Sequence, residues 1–176
     1  MYTNKIYKTE RLYLRPTGIE DAAFIFELFN TPKWLRYIGN RNLTCVKDAE
    51  DYIVKRMLPQ LERLGFSNNT VIRKVDGAKI GTCGLYDREG VEGLDIGFAF
   101  LPQYEKQGYA FEAAGRILKM AKEDLNVHNI AGITAKENTA SQNLLEKLGF
   151  DFEDAIHLPG EKEEILFYRM RDTSDK

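Results

Sequence analysis

The order strand, glycine turn, long helix, strand in the middle of the chain restricts its fold more than any other stretch. From Val91 to Leu101, Leu94, Ile96, Phe98 and Phe100 alternate with Asp95, Gly97, Ala99 and Leu101, the period of a β-strand. A polar turn with one glycine follows, and then Ala110, Ala113, Ala114, Ile117, Leu118, Ala121 and Leu125 recur at helical spacing opposite Glu112, Arg116, Lys119 and Lys122. His128 to Ala135 reads as another short strand. Two strands joined by such a helix pair in parallel through a right-handed crossover, so the helix packs on the sheet.

The flanking sequence supplies the rest of a sheet. Thr9 to Pro16 alternates as a strand stopped by proline, and Glu20 to Phe29 carries Ala22, Ile25, Phe26 and Phe29 at helical spacing. Asn30 to Thr44, with Pro32, Trp34, Tyr37 and Gly39, reads as a loop whose aromatics are either a substrate wall or satellite core. Ala49, Ile53 and Met57 mark a second helix that Pro59 bends or ends. Val71 to Val75 and Lys79 to Leu85 form a hairpin about Asp76-Gly77. After the crossover, Asn138 opens a helix over Leu144, Leu145 and Leu148 that Gly149 stops. Phe150 to Ile156 and Glu164 to Arg171 close the sheet, leaving a polar tail from Asp172 to Lys176.

On the small-residue face of the central strand, an interior Gly97 lets another backbone or a slender ligand approach, or supports a β-bulge. The helix after it aims unpaired amides and the positive end of its dipole at the turn, where a phosphate can sit without any particular side chain. A single Gly-x-Ala is also what an ordinary strand-to-helix connection contains, so the turn alone leaves both readings open.

Composition narrows the partners. A chain of 176 residues, 43% hydrophobic and 30% charged, suits one globular domain spanning residues 1–176. A net charge of −2 gives no footprint for nucleic acid, which favours a small partner. Cys45 and Cys83 lack metal-ligand spacing and are too few for a disulfide framework, so no metal site and a reducing compartment are expected. Met1 to Lys8 is polar and no apolar run reaches a membrane span, so the expected location is the cytoplasm with no membrane partner.

Several short motifs agree with this order: Thr9-Glu10-Arg11-Leu12-x-Leu14-Arg15-Pro16, Asp95-Ile96-Gly97-Phe98 running on to Ala113-Ala114, Asn138-x-x-Ser141, and Leu144-Leu145-Glu146-Lys147-Leu148-Gly149-Phe150. Over nearly its whole length the chain resembles the GNAT N-acetyltransferase superfamily, and most of all its branch of ribosomal-protein N-terminal acetyltransferases. The resemblance implies an α+β fold: a mixed sheet of about seven strands with about four helices, splayed between the fourth and fifth strands. Acetyl-CoA would lie in the gap. The backbone amides of Gln107, Gly108, Tyr109 and Ala110 would hold its diphosphate with help from Lys106, and the backbone about Phe98, Ala99 and Phe100 would pair with its pantetheine arm. An amide near Ala99 or Phe100 would face the developing oxyanion. Where the family has Gln or Arg, this chain has Glu105, an acid ill suited to a diphosphate.

By the same resemblance, Asn138 and Ser141 touch the pantetheine and the sulfur, although Asn at a helix start is also an ordinary cap. Ser141 would support the departing thiolate. The tyrosine general acid of some branches is replaced by Leu145, leaving Ser141, water, Tyr109 or Tyr168 for that role. Asp95 is the candidate general base, with a structural carboxylate as the competing reading and His157 as a lesser alternative. An α-amine of pKa ~7.8 is roughly a tenth neutral at pH 7, a lysine of pKa ~10.4 only about 0.04%. The expected reaction is direct acetyl transfer to a primary amine, either a protein N-terminus or a small molecule, by a monomer or homodimer. A non-catalytic acyl-CoA sensor or interaction module on the same fold is the alternative.

Overall fold

A computed structural model describes residues 5–171; the polar tail read at 172–176 lies outside the described residues. The elements run β1 (Tyr7–Lys8), β2 (Leu12–Pro16), a 3-10 turn (Ile19–Asp21), α1 (Ala22–Phe29), α2 (Pro32–Tyr37) and α3 (Val46–Tyr52). A π-helical turn (Ile53–Met57) leads to α4 (Leu58–Leu64), β3 (Asn68–Arg73), β4 (Lys79–Tyr86) and β5 (Leu94–Phe100). Then come a 3-10 turn (Pro102–Tyr104), α5 (Tyr109–Asp124), β6 (Ile130–Ala135), α6 (Thr139–Lys147), β7 (Phe150–His157) and β8 (Glu164–Met170).

The strands form one eight-stranded sheet in the order β1-β2-β3-β4-β5-β6-β8-β7. Every neighbouring pair among the described residues is antiparallel except β5 and β6, the parallel pair that the crossover requires. That pair is short: Leu94, Asp95 and Ile96 face Ile130, Ala131 and Gly132, and no further. Beyond it Gly97 to Phe100 stay paired to β4, while Ile133 to Ala135 stay paired to β8. The sheet therefore parts between β5 and β6, which are the fourth and fifth strands of the sequence reading.

Two layers of helix cover the sheet. Ala113, Ala114, Ile117 and Met120 of α5, with Leu145 of α6, pack on Leu12, Leu14, Val71, Leu85, Ile96 and Phe100 of the strands. On the other face Ile25, Leu28 and Phe29 of α1 meet Ala49 of α3, Ile53 and Leu101. Full burial of side chains such as Ile117 or Ile25 stabilises by about 1.5–3 kcal/mol each, so these two clusters set the layer order.

Four local readings change. Tyr7 and Lys8 add a two-residue strand paired with Leu14 and Tyr13, too short for any period to show. The stretch read as a loop holds α2, because Thr31 accepts from the Trp34 amide and Pro32 occupies the first turn, where its missing N–H costs nothing. Pro59 does not end the second helix. The wide turn at Ile53–Met57 resets the hydrogen-bond ladder so that Pro59 falls in the first turn of α4, which runs on to Gly65 at φ 79°. β3 begins at Asn68 rather than Val71, because its polar start is buried and satisfied: Asn68 donates to Thr17 (2.8 Å), and Thr70 donates to Asp21 (3.0 Å).

Candidate active site

The parted seam, the turn after β5 and the start of α6 meet at one end of the sheet. Leu101 N–H donates to Ile80 O on β4 (2.9 Å), so by strand alternation Gly97 and Ala99 also turn their amides to β4, and Phe98 and Phe100 turn theirs into the gap. The β4–β5 ladder runs from Tyr86–Asp95 to Gly81–Phe100 without a register shift, so no bulge disturbs this parity. The small-residue face is partly filled from within: a Cβ on Gly97 would lie 2.7 Å from Tyr86 Cε2.

The turn itself is tightly bent. Lys106 sits at φ 58° and Gly108 at φ 82°, both in the left-handed region. No side chain caps α5, so its first amides point at the turn without a protein partner of that kind. A Cβ on Gly108 would come 3.2 Å from Arg11 Nη2. The turn is braced from three directions. Arg11 Nη1 donates to Gln107 O (2.9 Å) and Arg11 Nε to Glu112 (2.6 Å), with its guanidinium 4.4 Å from the centre of the Tyr109 ring. Gln107 Nε2 donates back to Gln103 O (2.9 Å). Lys33 Nζ of α2 donates to Glu105 Oε1 (3.0 Å).

Glu112 is the hub of the first brace. It accepts from Thr9 Oγ1 (2.6 Å) and from the Arg11 amide (2.8 Å) as well as from the guanidinium. Burial by itself pushes this carboxyl up, but those hydrogen bonds and the Arg11 charge hold it below its ordinary value. The Thr9-Glu10-Arg11 motif thus serves as a clamp on α5, a role that its strand-like pattern does not disclose.

Asp95 lies on the face toward α1 and α3, 1% exposed, opposite Tyr86 and beside Ala131. Arg88 Nε is 3.2 and 3.3 Å from its two oxygens. Burial raises its carboxyl above the ordinary range, and the Arg88 charge opposes that rise without cancelling it.

Across the gap, Asn138 caps α6 by accepting from the Ser141 amide (3.3 Å), just after Asn138 N–H closes a turn on Ala135 O (3.0 Å). Both residues therefore stand at the end of β6 where it has left β5. Leu145 is fully buried against Gly132, so the position of the absent tyrosine is a core position here. Tyr109 is under Arg11, Tyr168 is buried opposite Gly132, and His157 is exposed at the end of β7. Trp34 stacks on Phe29 with centroids 3.7 Å apart, which makes it part of the α1 cluster. Cys83 is buried, which pushes its thiol up, and Cys45 is exposed at the start of α3. Among the described residues no helix is long and apolar enough to cross a membrane.

Comparison with known proteins bears on the family and the fold. A family model of the acetyltransferase (GNAT) domain matches residues 11–151. The chain is 32% identical over 151 residues to an uncharacterized N-acetyltransferase, p20, of Bacillus licheniformis, covering 84% of this chain and 83% of that one. A crystal structure of a GNAT-family acetyltransferase from Bacillus anthracis superposes with a TM-score of 0.77 at 26% identity, covering 94% and 98% of the two chains. The ribosomal L7/L12 α-N-protein acetyltransferase RimL, solved in complex with coenzyme A, shares the fold with a TM-score of 0.79 at 15% identity over 94% and 97%.

Proposed function

This chain belongs to the GNAT acetyltransferase family, and from that premise we propose that it transfers acetyl from acetyl-CoA directly to a weakly basic primary amine, such as the α-amine of a peptide or small molecule. The observation that carries the reading is the internal opening of the sheet beyond Ile96, with the uncapped, braced start of α5 at its mouth. A glycine at φ 82°, whose missing Cβ would press on Arg11, is what a turn needs if phosphate oxygens are to approach its backbone.

When bound, acetyl-CoA supplies a thioester carbonyl open to attack by an amine. The amides of Gln107, Gly108, Tyr109 and Ala110 hold the diphosphate, with Lys106 beside them. Phe98 and Phe100 offer their backbone edge to the pantetheine amides, as a strand does to its neighbour, and Asn138 meets the arm from α6. Of the two amides named from the sequence, parity turns Phe100 rather than Ala99 into the gap. An arm that runs from the turn along β5 carries its acetyl end past Phe100, so the gap-facing amide of Phe98 is the better placed donor to the acetyl oxygen as negative charge grows there. Asp95 lies about 10 Å back along β5 from Phe98, so it takes the proton from the ammonium through water rather than directly, and Ser141 donates to the departing sulfur.

The acceptor class follows from the base. A carboxylate held by Arg88 is a weak base even when burial raises it, so it suits an amine of pKa near ~8 better than a lysine near ~10.4. The test is a thiol-release assay with acetyl-CoA against paired α-amine and ε-amine acceptors, peptides and small molecules alike. Turnover concentrated on α-amines is the expected outcome. Release no faster than hydrolysis across a broad panel would leave an acyl-CoA sensor as the better reading.

A further inference from the structure

Glu105 sits in the turn that the proposed function gives to a diphosphate, where a bare carboxylate would repel the ligand. Its Oε1 accepts from Lys33 Nζ at 3.0 Å, across a gap of 72 residues in the chain. We infer that Lys33 is a positioning residue for the cofactor: α2 supplies the cation that neutralises Glu105, so that the turn presents its amides and Lys106 to phosphate oxygens without a competing negative charge. This rests on the proposed placement of the diphosphate at the turn.

The aim of Lys33 is set by its neighbours. Thr31 accepts from the Trp34 amide and donates to Leu28 O (2.8 Å), which fixes the start of α2 on the end of α1. Trp34 stacks on Phe29. With Trp34 held in the α1 cluster, the preceding residue is turned toward the β5–α5 connection. Tyr104 packs on that same cluster, so turn and helix share one support, and Glu105 follows Tyr104 directly. Lys106 enters no ion pair among the described residues, and Arg11 is already committed to Glu112. Lys33 is therefore the side chain that balances Glu105. The pair is half-exposed, at 42% and 26%, so it adds little to stability and its effect is read in ligand binding.

A double-mutant cycle on the full chain tests this, with coenzyme A binding measured by calorimetry for the wild type, Lys33→Ala, Glu105→Gln and the double variant. Lys33→Ala is expected to raise Kd about tenfold, an effect that shrinks at high salt. Glu105→Gln should bind at least as tightly as the wild type, and the double variant should return to within about twofold of it. Unchanged melting temperatures show that the fold is intact. Equal Kd values for the wild type and Lys33→Ala overturn the inference. So does a double variant as weak as Lys33→Ala, which would place Lys33 on the ligand itself. A wild type that binds no coenzyme A overturns the proposed function instead, whereas tight wild-type binding with a flat cycle overturns only the role of Lys33.

Discussion

Leu145 occupies the space that a side chain on Gly132 would need: a Cβ built on that glycine comes 2.5 Å from Leu145 Cδ2. Gly132 is also the last residue of β6 paired with β5, so α6 packs on β6 at the point where the seam begins to part. Gly132→Ala is expected to destabilise the protein by about 1–3 kcal/mol through overpacking. Leu145→Ala should cost about 2–5 kcal/mol as a cavity. Because the new methyl enters the space that the leucine vacates, the double variant should cost clearly less than the sum. Urea unfolding of the four proteins measures this, and strict additivity would count against the contact.

Gly108→Val places a β-branched residue at φ 82° with its Cβ against Arg11, at a cost of about 1–2 kcal/mol or more. The variant should still fold, with a lowered melting temperature, and should bind coenzyme A at least about tenfold more weakly, because the close approach to the backbone is lost. Calorimetry on the folded variant decides the matter; wild-type affinity would move the diphosphate away from this turn.

Asp95→Asn should lower kcat and remove the acidic limb of the rate–pH profile. That limb lies above the ordinary carboxylate range, since burial raises the group and activity appears as the carboxylate forms. Arg88→Met removes the charge that opposes the rise, so the limb should move to still higher pH. A profile unchanged in both variants would make Asp95 structural.

Asp21 offers a stability test remote from the turn. It is fully buried, and although burial acts to raise it, hydrogen bonds from Arg15, Lys79 and the Gly18 amide lower its pKa to about 2. A folded value below the unfolded one means the contribution is present above pH ~3.8 and is lost as pH falls through about 2. Acid unfolding of the wild type should show a loss of about 2 kcal/mol across that window, with a much shallower slope in Asp21→Asn. Equal slopes would show that another carboxylate dominates.

Much of this was legible because it is local. Alternation named the faces of β5, helical spacing named the buried side of α5, and Gly108 and Asn138 sit where helix starts demand them. What escaped depends on residues far apart in the chain. Nothing near Glu105 announces Lys33, and nothing near Leu145 announces Gly132. Gly97 reads as open space until Tyr86 is seen to cover it. The short α2 hid behind a proline that usually marks a loop, although Thr31 before it was the available signal. The start of β3 was hidden for a chemical reason: Asn68 and Thr70 lack apolar character and are buried because they satisfy one another's neighbours.

The parting of β5 from β6 also bears on strand-edge pairing. Unpaired strand edges normally recruit the strands of other chains, and proteins blunt them with charges, prolines or bulges. Phe98 and Phe100 lie in a stretch, Gly97 to Phe100, with none of these, yet the edge they expose is not on the rim of the sheet. It faces the diverging β6 inside the same sheet, flanked by β4 and β8, and so offers no rim on which the long flat ladder of fibril growth could add. An adhesive edge is kept available by being placed indoors.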